Sequence, residues 1–390
     1  MTIVARVPLP LPPPPDPAAC PWERVEVLLA GDVMAHGDQL AAASRSDGSW
    51  DFTTQFDAVA PWIRGADLAL ANLETVMAGP GSGYTGYPTF NTPDALADAL
   101  VAAGFDVVQT ANNHCLDRGG PGLLRTIEVL DRAGLAHVGT WAAPDTTPWV
   151  TADIGPRVAV AGGTFSLNGF TLPKNTRWGA TPIEDLTWIV ASARTEADLV
   201  IAGIHWGWEY EPRPRKPEVA LASAWVAAGA DVVWGHHPHV IQPVEQIDDA
   251  VVAYSHGNLV SGQRTFPRAG GLLTRIELAF CPVTRETRIA DVRLMPTWVD
   301  LRDADGRKVF RVVPADAGWI DADGGLSAAD RVDALRFRAH AEALLGPLSL
   351  EPPGVGRRRE EVAWAADPTG MARTTRFLRG AELAPGFPAP

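Results

Sequence analysis

The chain has 390 residues, of which 46% are hydrophobic and 20% charged, a globular composition that excludes disorder over the whole length. With 33 Lys and Arg against 46 Asp and Glu, the formal charge is −13, which argues against phosphate-backbone binding, so no nucleic-acid partner is expected. No run reaches 18 apolar residues, so no membrane span is expected either.

The first 22 residues hold eight prolines and no continuous apolar segment, and read as an unstructured or polyproline lead-in rather than a signal peptide. Cys20, Cys115 and Cys281 stand far apart without a CxxC pair. An odd, sparse cysteine count suits a reducing compartment, and the expected location is cytoplasmic.

Short apolar runs then recur, each ending in polar residues: Val25–Ala30, Asp67–Ala71, Asp106–Thr110, Val158–Ala161, Leu199–Ile204, Asp231–Trp234 and Val251–Tyr254. Runs of this kind without alternation predict strands covered on both faces. Helical spacing falls between them, over Ala95–Ala103, Gly122–Ala133, Pro182–Thr195 and Pro217–Ala228. Alternation of strand and helix predicts an α/β fold built of βαβ units. From Leu272 the pattern changes: Leu272–Phe280, Thr287–Pro296 and Val309–Val313 read as successive antiparallel strands, here expected to form a second sheet. Ser327–Leu345 reads as a helix capped by Ser327 or Asp330, and a tail rich in Pro, Gly and Arg follows Gly346. The expected divisions are a lead-in over 1–22, a main domain over 23–320 and a C-terminal helix with irregular tail over 321–390.

Ligands of open α/β sheets collect beyond the carboxyl ends of strands. There this chain places Asp32, Glu74, Asn113, His114, His205, His237 and His239, and six of its nine histidines lie at or just after strand ends. Imidazole and carboxylate together suit Zn, Mn or Fe, and carboxylate with amide oxygen suits harder ions such as Ca. Two ions would need a bridging carboxylate, for which Glu74 is the candidate. His237 and His239 are two apart, so an extended backbone directs both the same way. Each residue also has an ordinary reading. Asp32 caps turns, Asn113 forms them, and a lone His205 beside Trp206 packs in cores. Three imidazoles within residues 236–239 are harder to bury without a ligand. The literal GxGxxG at 81–86 leads into YPTFNTP rather than a helix and is rejected as a dinucleotide site. The arginine run 357–359 abuts two glutamates and reads as a solvated segment.

In order, GDVM (31–34), ANLE (71–74), ANNHCLDRG (111–119), HWGWEY (205–210), GHHPHVIQPVE (235–245) and YSHGN (254–258) resemble the CapA capsule-synthesis family of the calcineurin-like metallophosphoesterase superfamily, over about residues 25–260. The resemblance implies a two-sheet α/β sandwich with a centre of two divalent ions (Mn, Zn, Fe or Ca). Asp32 and His239 would hold the first ion, Asn113, His205 and His237 the second, and Glu74 would bridge. His114 matches the superfamily's catalytic histidine, with Asp117 expected to orient it. Glu209 and His256 are expected at the pocket rim, Glu209 as a further catalytic group, and His256, Trp206 and His236 are expected to contact substrate, although the HxH spacing turns His236 toward the other face. Met34 stands where the superfamily's opening motif carries a ligand histidine. The implied function is metal-dependent chemistry on a peptide or peptide-like substrate. It is either epimerisation of a Cα centre, as in the similar CapA-like enzymes that tailor lasso peptides, or hydrolysis. The alternative is a phosphoesterase or amide hydrolase of poly-γ-glutamate capsule type, and a non-catalytic scaffold is the third reading.

Overall fold

In the computed structural model, which describes residues 20–346 and 348 apart from 144–145, 174–175 and 305–306, every apolar run named above becomes a strand. The lead-in over 1–19, the arginine run and the tail lie outside the described residues. In chain order the first strands are β1 (Glu23–Val33), β2 (Leu68–Leu73), β3 (Val107–Gln109), β4 (Ala136–Val138), β5 (Thr140–Trp141), β6 (Trp149–Asp153), β7 (Arg157–Thr164) and β8 (Gly179–Ala180). There follow β9 (Leu199–His205), β10 (Val232–His236), β11 (Val244–Ile247), β12 (Ala250–Ala253), β13 (Asn258–Val260), β14 (Gly270–Phe280), β15 (Thr287–Ala304) and β16 (Arg307–Pro314). The helices are α1 (Gly37–Ala43), α2 (Ala60–Arg64), α3 (Ala95–Ala103), α4 (Gly119–Ala133), α5 (Leu186–Arg194), α6 (Lys216–Ala228), α7 (Ala317–Asp323) and α8 (Ala328–Leu345).

One sheet runs β16-β15-β14-β1-β2-β3-β4, with β13 also paired to β1, and the other runs β11-β12-β10-β9-β7-β6. The two meet face to face. Val25, Val27 and Leu29 of β1 alternate inward and pack with Val158, Ile201, Val232 and Trp234 of the other sheet. The outer face of the first sheet is covered by α1–α4, through Phe56, Leu100, Leu130 and their neighbours. The outer face of the second is covered by α5 and α6, through Ile189, Val190 and Trp225. Helices therefore flank a two-sheet sandwich, as the sequence led us to expect.

The strands β14–β16 correct one expectation. They do not form a separate sheet; β14 pairs antiparallel with β1 from Glu23↔Phe280 to Leu29↔Thr274 and extends the first sheet. The predicted boundary after 320 falls inside α7, and α8 packs on the same body: the Phe337 ring lies 5.8 Å from that of Trp298, tilted against it, and Ser327 caps the helix by accepting from the Asp330 amide at 3.0 Å.

Cys20 and Cys281, expected as separate thiols, are joined by a disulfide, whereas Cys115 is buried and free, with burial pushing its thiol up to about 12. The bond fastens the outermost rung of the β1–β14 ladder across 261 residues of sequence. Reduction is expected to cost about 2–4 kcal/mol in urea unfolding. The denatured, unreduced chain is expected to titrate one thiol, and three thiols would contradict the pairing.

Asp300 of β15 is fully buried, neither carboxylate oxygen has a hydrogen-bond partner among the described residues, and the Arg311 Nε is 3.8 Å away. Burial, reinforced by repulsion from Asp330, pushes the carboxyl up to about 6. A raised carboxyl pKa favours the fold when protonated, so this group penalises stability increasingly as pH rises from about 4 to 6. Asp300→Asn is therefore expected to stabilise by about 1–2 kcal/mol at pH 7.5 and by little at pH 4. Equal urea midpoints for the two proteins at pH 7.5 would contradict this.

Candidate metal centre

The site is assembled where strands end. Gly31 and Gly235 make the approach possible: a Cβ on Gly31 would stand 2.1 Å from the Gly257 carbonyl oxygen, and one on Gly235 would stand 2.0 Å from that of Tyr254. Asp32, Glu74 and His205 sit at or just after the ends of β1, β2 and β9. Asn113 and His114 lie in the turn that follows β3. His237 and His239 follow β10 with φ of +95° and +56°, a left-handed backbone that non-glycine residues seldom adopt outside functional sites.

All six predicted ligands converge, each at most 5% exposed. His205 Nε2 lies 2.9 Å from Asn113 Oδ1, 3.0 Å from His237 Nδ1 and 3.4 Å from Glu74 Oε1. His239 Nδ1 lies 3.1 Å from Asp32 Oδ2, and its Nε2 lies 3.7 Å from Glu74 Oε1. Ligand atoms within 4.8 Å of one another form two groups, Glu74–His237–His239 and Asp32–Glu74–His205, and Glu74 belongs to both. That is the position a bridging carboxylate requires.

The buried groups of the cluster perturb one another strongly. Burial keeps His205 and His237 well below the usual imidazole range, so both present lone pairs at neutral pH. Burial would raise Asp32, but hydrogen bonds with His236 and His239 outweigh it and hold the carboxylate low. Burial pushes Glu74 up to about 8, opposed by His239 and aided by Asp32. Burial would lower His239, yet Glu74 and Asp32 beside it push it up to about 9. Glu74 Oε1 is buried with no hydrogen-bond partner among the described residues. An unpaired buried carboxylate oxygen facing several imidazole nitrogens is costly by itself and is satisfied by a divalent ion.

Beside this cluster, His114 Nδ1 pairs with Asp117 Oδ2 at 2.8 Å, and the same oxygen accepts from the Phe90 amide at 2.6 Å. Phe90 packs edge-on against the His114 ring at 4.7 Å. The imidazole is thus held by Asp117 at Nδ1 and by the edge-on Phe90 ring.

Three expected substrate contacts are corrected. Trp206 is 1% exposed, stacks on Trp225 and Tyr254 and donates to the Tyr254 carbonyl at 2.9 Å, so it is core. His256 is fully buried against Thr274 Oγ1 at 3.0 Å, and burial pushes it down to about 3. His236, two residues after Trp234 on β10, shares its face toward the space between the sheets and stands behind Asp32, its Nδ1 3.4 Å from Oδ1. Glu209 is exposed, and burial together with that neighbouring carboxylate pushes the Tyr210 phenol up to about 12. Met34 is buried, 2% exposed, at the position where the superfamily carries a histidine.

Sequence reasoning missed several neighbours. Asn72 donates to Asp32 Oδ1 at 2.8 Å and lies 3.4 Å from His205 Nδ1, orienting both. Asn258, in register with Asp32, places Oδ1 3.0 Å from His239 Nδ1. Phe165 and Tyr210, both partly exposed, stand 5.0 Å from the His237 ring and 6.2 Å from the His239 ring, with the Arg268 guanidinium over Tyr210. The two asparagines lie inside motifs already singled out, ANLE and YSHGN; the aromatic rim follows from adjacency to ligand strands.

The capsule biosynthesis protein CapA of Bacillus anthracis is 28% identical over 253 residues, covering 62% of this chain and 61% of that protein. The PGA biosynthesis protein CapA of Bacillus subtilis (strain 168) is 32% identical over 220 residues, covering 53% and 57%. The chain thus spans about three fifths of the length of these relatives. A solved Mycoplasma pneumoniae structure described as a novel phosphatase aligns with a TM-score of 0.39 at 13% identity, covering 70% of this chain and 94% of that one. The family model for the bacterial capsule synthesis protein PGA_cap matches residues 26–263, the span that carries every converging ligand, and the chain belongs to that family.

Proposed function

We propose that the chain is a metal-dependent hydrolase of a peptide-like polymer of the poly-γ-glutamate kind. The observation that carries this reading is the His114–Asp117 pair set beside six converging ligand side chains. Asp32, Glu74, Asn113, His205, His237 and His239 would together hold the divalent ions, with Glu74 shared between the two groups of ligand atoms. Such ions, when bound, supply Lewis-acid polarisation of a carbonyl or phosphoryl oxygen and a nucleophile at neutral pH.

The protein's own residues do the rest. Asp117 fixes the His114 ring so that Nε2 exchanges a proton with the departing group. Asn72 holds Asp32 and His205 in place. Phe165 and Tyr210 at the mouth screen the site from bulk water, and Arg268 and Arg118 bring positive charge to that side of an acidic protein, which suits a carboxylate-bearing chain.

The capsule- and PGA-biosynthesis names of the relatives support the capsule-polymer reading over the lasso-peptide epimerisation that the sequence had placed level with hydrolysis. No helix among the described residues is long and apolar enough to cross a membrane. The Cys20–Cys281 bond supports action in an oxidising compartment instead of the expected cytoplasm.

The test incubates Mn-loaded protein in D₂O with poly-γ-glutamate and with a phosphomonoester. Chain shortening that depends on His114 supports the reading. Deuterium gained at Cα without scission would transfer the site to epimerisation, and turnover of the phosphomonoester alone would transfer it to phosphate chemistry. Absence of all three would leave a scaffold.

A further inference from the structure

Asn258 opens β13 and stands in parallel register beside Asp32 of β1. Residues in register on neighbouring strands project from the same face of the sheet, about 4.8 Å apart, so these two side chains leave it together. Asn258 is fully buried, and a buried amide has to satisfy both of its ends. Nδ2 donates to the Arg268 carbonyl oxygen at 2.8 Å and to Gln263 Oε1 at 3.2 Å. A backbone carbonyl only accepts, so the nitrogen of the amide belongs on that side and its orientation is fixed. Oδ1 therefore turns the other way, toward the cluster of ligands, 3.0 Å from His239 Nδ1.

His239 Nδ1 also lies 3.1 Å from Asp32 Oδ2. A ring nitrogen carries at most one hydrogen, which cannot point straight at two oxygens. An ion in front of the three atoms takes an electron pair from each of them. The spacing fits that arrangement: adjacent donors on an octahedral ion, at bond lengths of about 2.1 Å, stand about 3.0 Å apart. The same spacing recurs among the predicted ligands, where His205 Nε2 lies 2.9 Å from Asn113 Oδ1 and 3.0 Å from His237 Nδ1. Two asparagines thus hold matching positions, Asn113 against His205 and Asn258 against His239. Beyond Asp32 its own strand offers only Val33 and the thioether of Met34, neither a donor suited to Mn or Ca. The Met34 amide donates to the Val260 carbonyl at 2.9 Å, so β13 runs alongside and brings an amide oxygen to the same end of the sheet.

We propose that Asn258 is a further metal ligand, its Oδ1 joining Asp32 and His239 on one ion. The assignment rests on the metal-dependent reading above, and Mn uptake by the parent protein tests that reading separately. The competing role for Asn258 is to hold the His239 ring by a hydrogen bond without touching the ion.

The full chain with Asn258→Cys, loaded with Co(II), separates the two roles. A thiolate bound to Co(II) adds an intense near-ultraviolet charge-transfer band, which a residue outside the coordination shell cannot produce. The band is expected in the variant and absent from the parent loaded in the same way. A variant that takes up cobalt without the band would overturn the proposal. Anomalous scattering from Mn-loaded crystals of the parent decides the matter even if the cysteine variant fails to fold. Mn is expected about 2.1 Å from Asn258 Oδ1. Mn in the site but more than about 3 Å from that oxygen would overturn the proposal while leaving the metal reading intact, whereas a parent that takes up no Mn would bring down both.

Discussion

His114→Ala is expected to lower turnover of the hydrolysed polymer by about 10²–10⁴-fold, the range by which a positioned proton donor or acceptor accelerates a reaction. The effect should fall on kcat, because Nε2 meets the departing group and binds little of the ground-state substrate. Metal content should be unchanged. His114 is not among the side chains whose ligand atoms cluster, and it touches Asp117 and Phe90 instead. Asp117→Asn should produce a smaller loss, since the amide still accepts from the Phe90 amide but orients the imidazole less firmly. Steady-state rates with ion content measured on the same samples check both. A His114→Ala enzyme that turns over at the parent rate would remove the residue from the mechanism.

Glu74→Gln is expected to weaken binding of both ions by about 10²-fold or more and to abolish turnover with them, because it alters the one side chain common to both groups of ligands. The substitution conserves volume and removes the charge that burial penalises, so the empty variant should fold and be at least as stable as the metal-free parent. Saturating Mn should raise the parent's Tm, since an ion at 100 times its Kd adds about 2.7 kcal/mol of stability, and should leave the variant's Tm nearly unmoved. Thermal scans with and without chelator make the comparison. Equal Mn-dependent shifts in the two proteins would show that Glu74 does not bridge.

Much of this was legible in the sequence because the local pattern and the chemistry coincide. A buried strand must be apolar along its length, and a site at its end must be polar, so VEVLLA followed by GD, and LVIAGI followed by HWGWEY, marked both strand and candidate ligand. Helix α3 was read to the residue, since Gly104 in a left-handed conformation ends it where the apolar spacing ends.

What the sequence left hidden depends on pairing over long distances. Nothing in Leu272–Phe280 says that its neighbour is β1, some 250 residues earlier, rather than a strand nearby; the same holds for Cys20 and Cys281. The face of a residue just past a strand end is also undetermined by spacing. Trp206 turns into the core whereas Trp208 is 58% exposed, and His236 turns between the sheets whereas His237 reaches the site through a backbone twist that no apolar pattern announces. Asn72 and Asn258 escaped notice for another reason: an amide in a turn-rich motif has many ordinary uses, and only the positions of Asp32 and His239 give these two a specific one.

The whole account turns on Asp32, Glu74, Asn113, His205, His237 and His239 holding divalent ions. Elemental analysis of the gently purified protein, repeated after stripping and dialysis against Mn, tests this most directly. The account predicts about two ions per chain in the parent and far less in Glu74→Gln, in keeping with a two-ion site. A parent that holds less than about a tenth of an ion per chain and takes up none on Mn dialysis would contradict it.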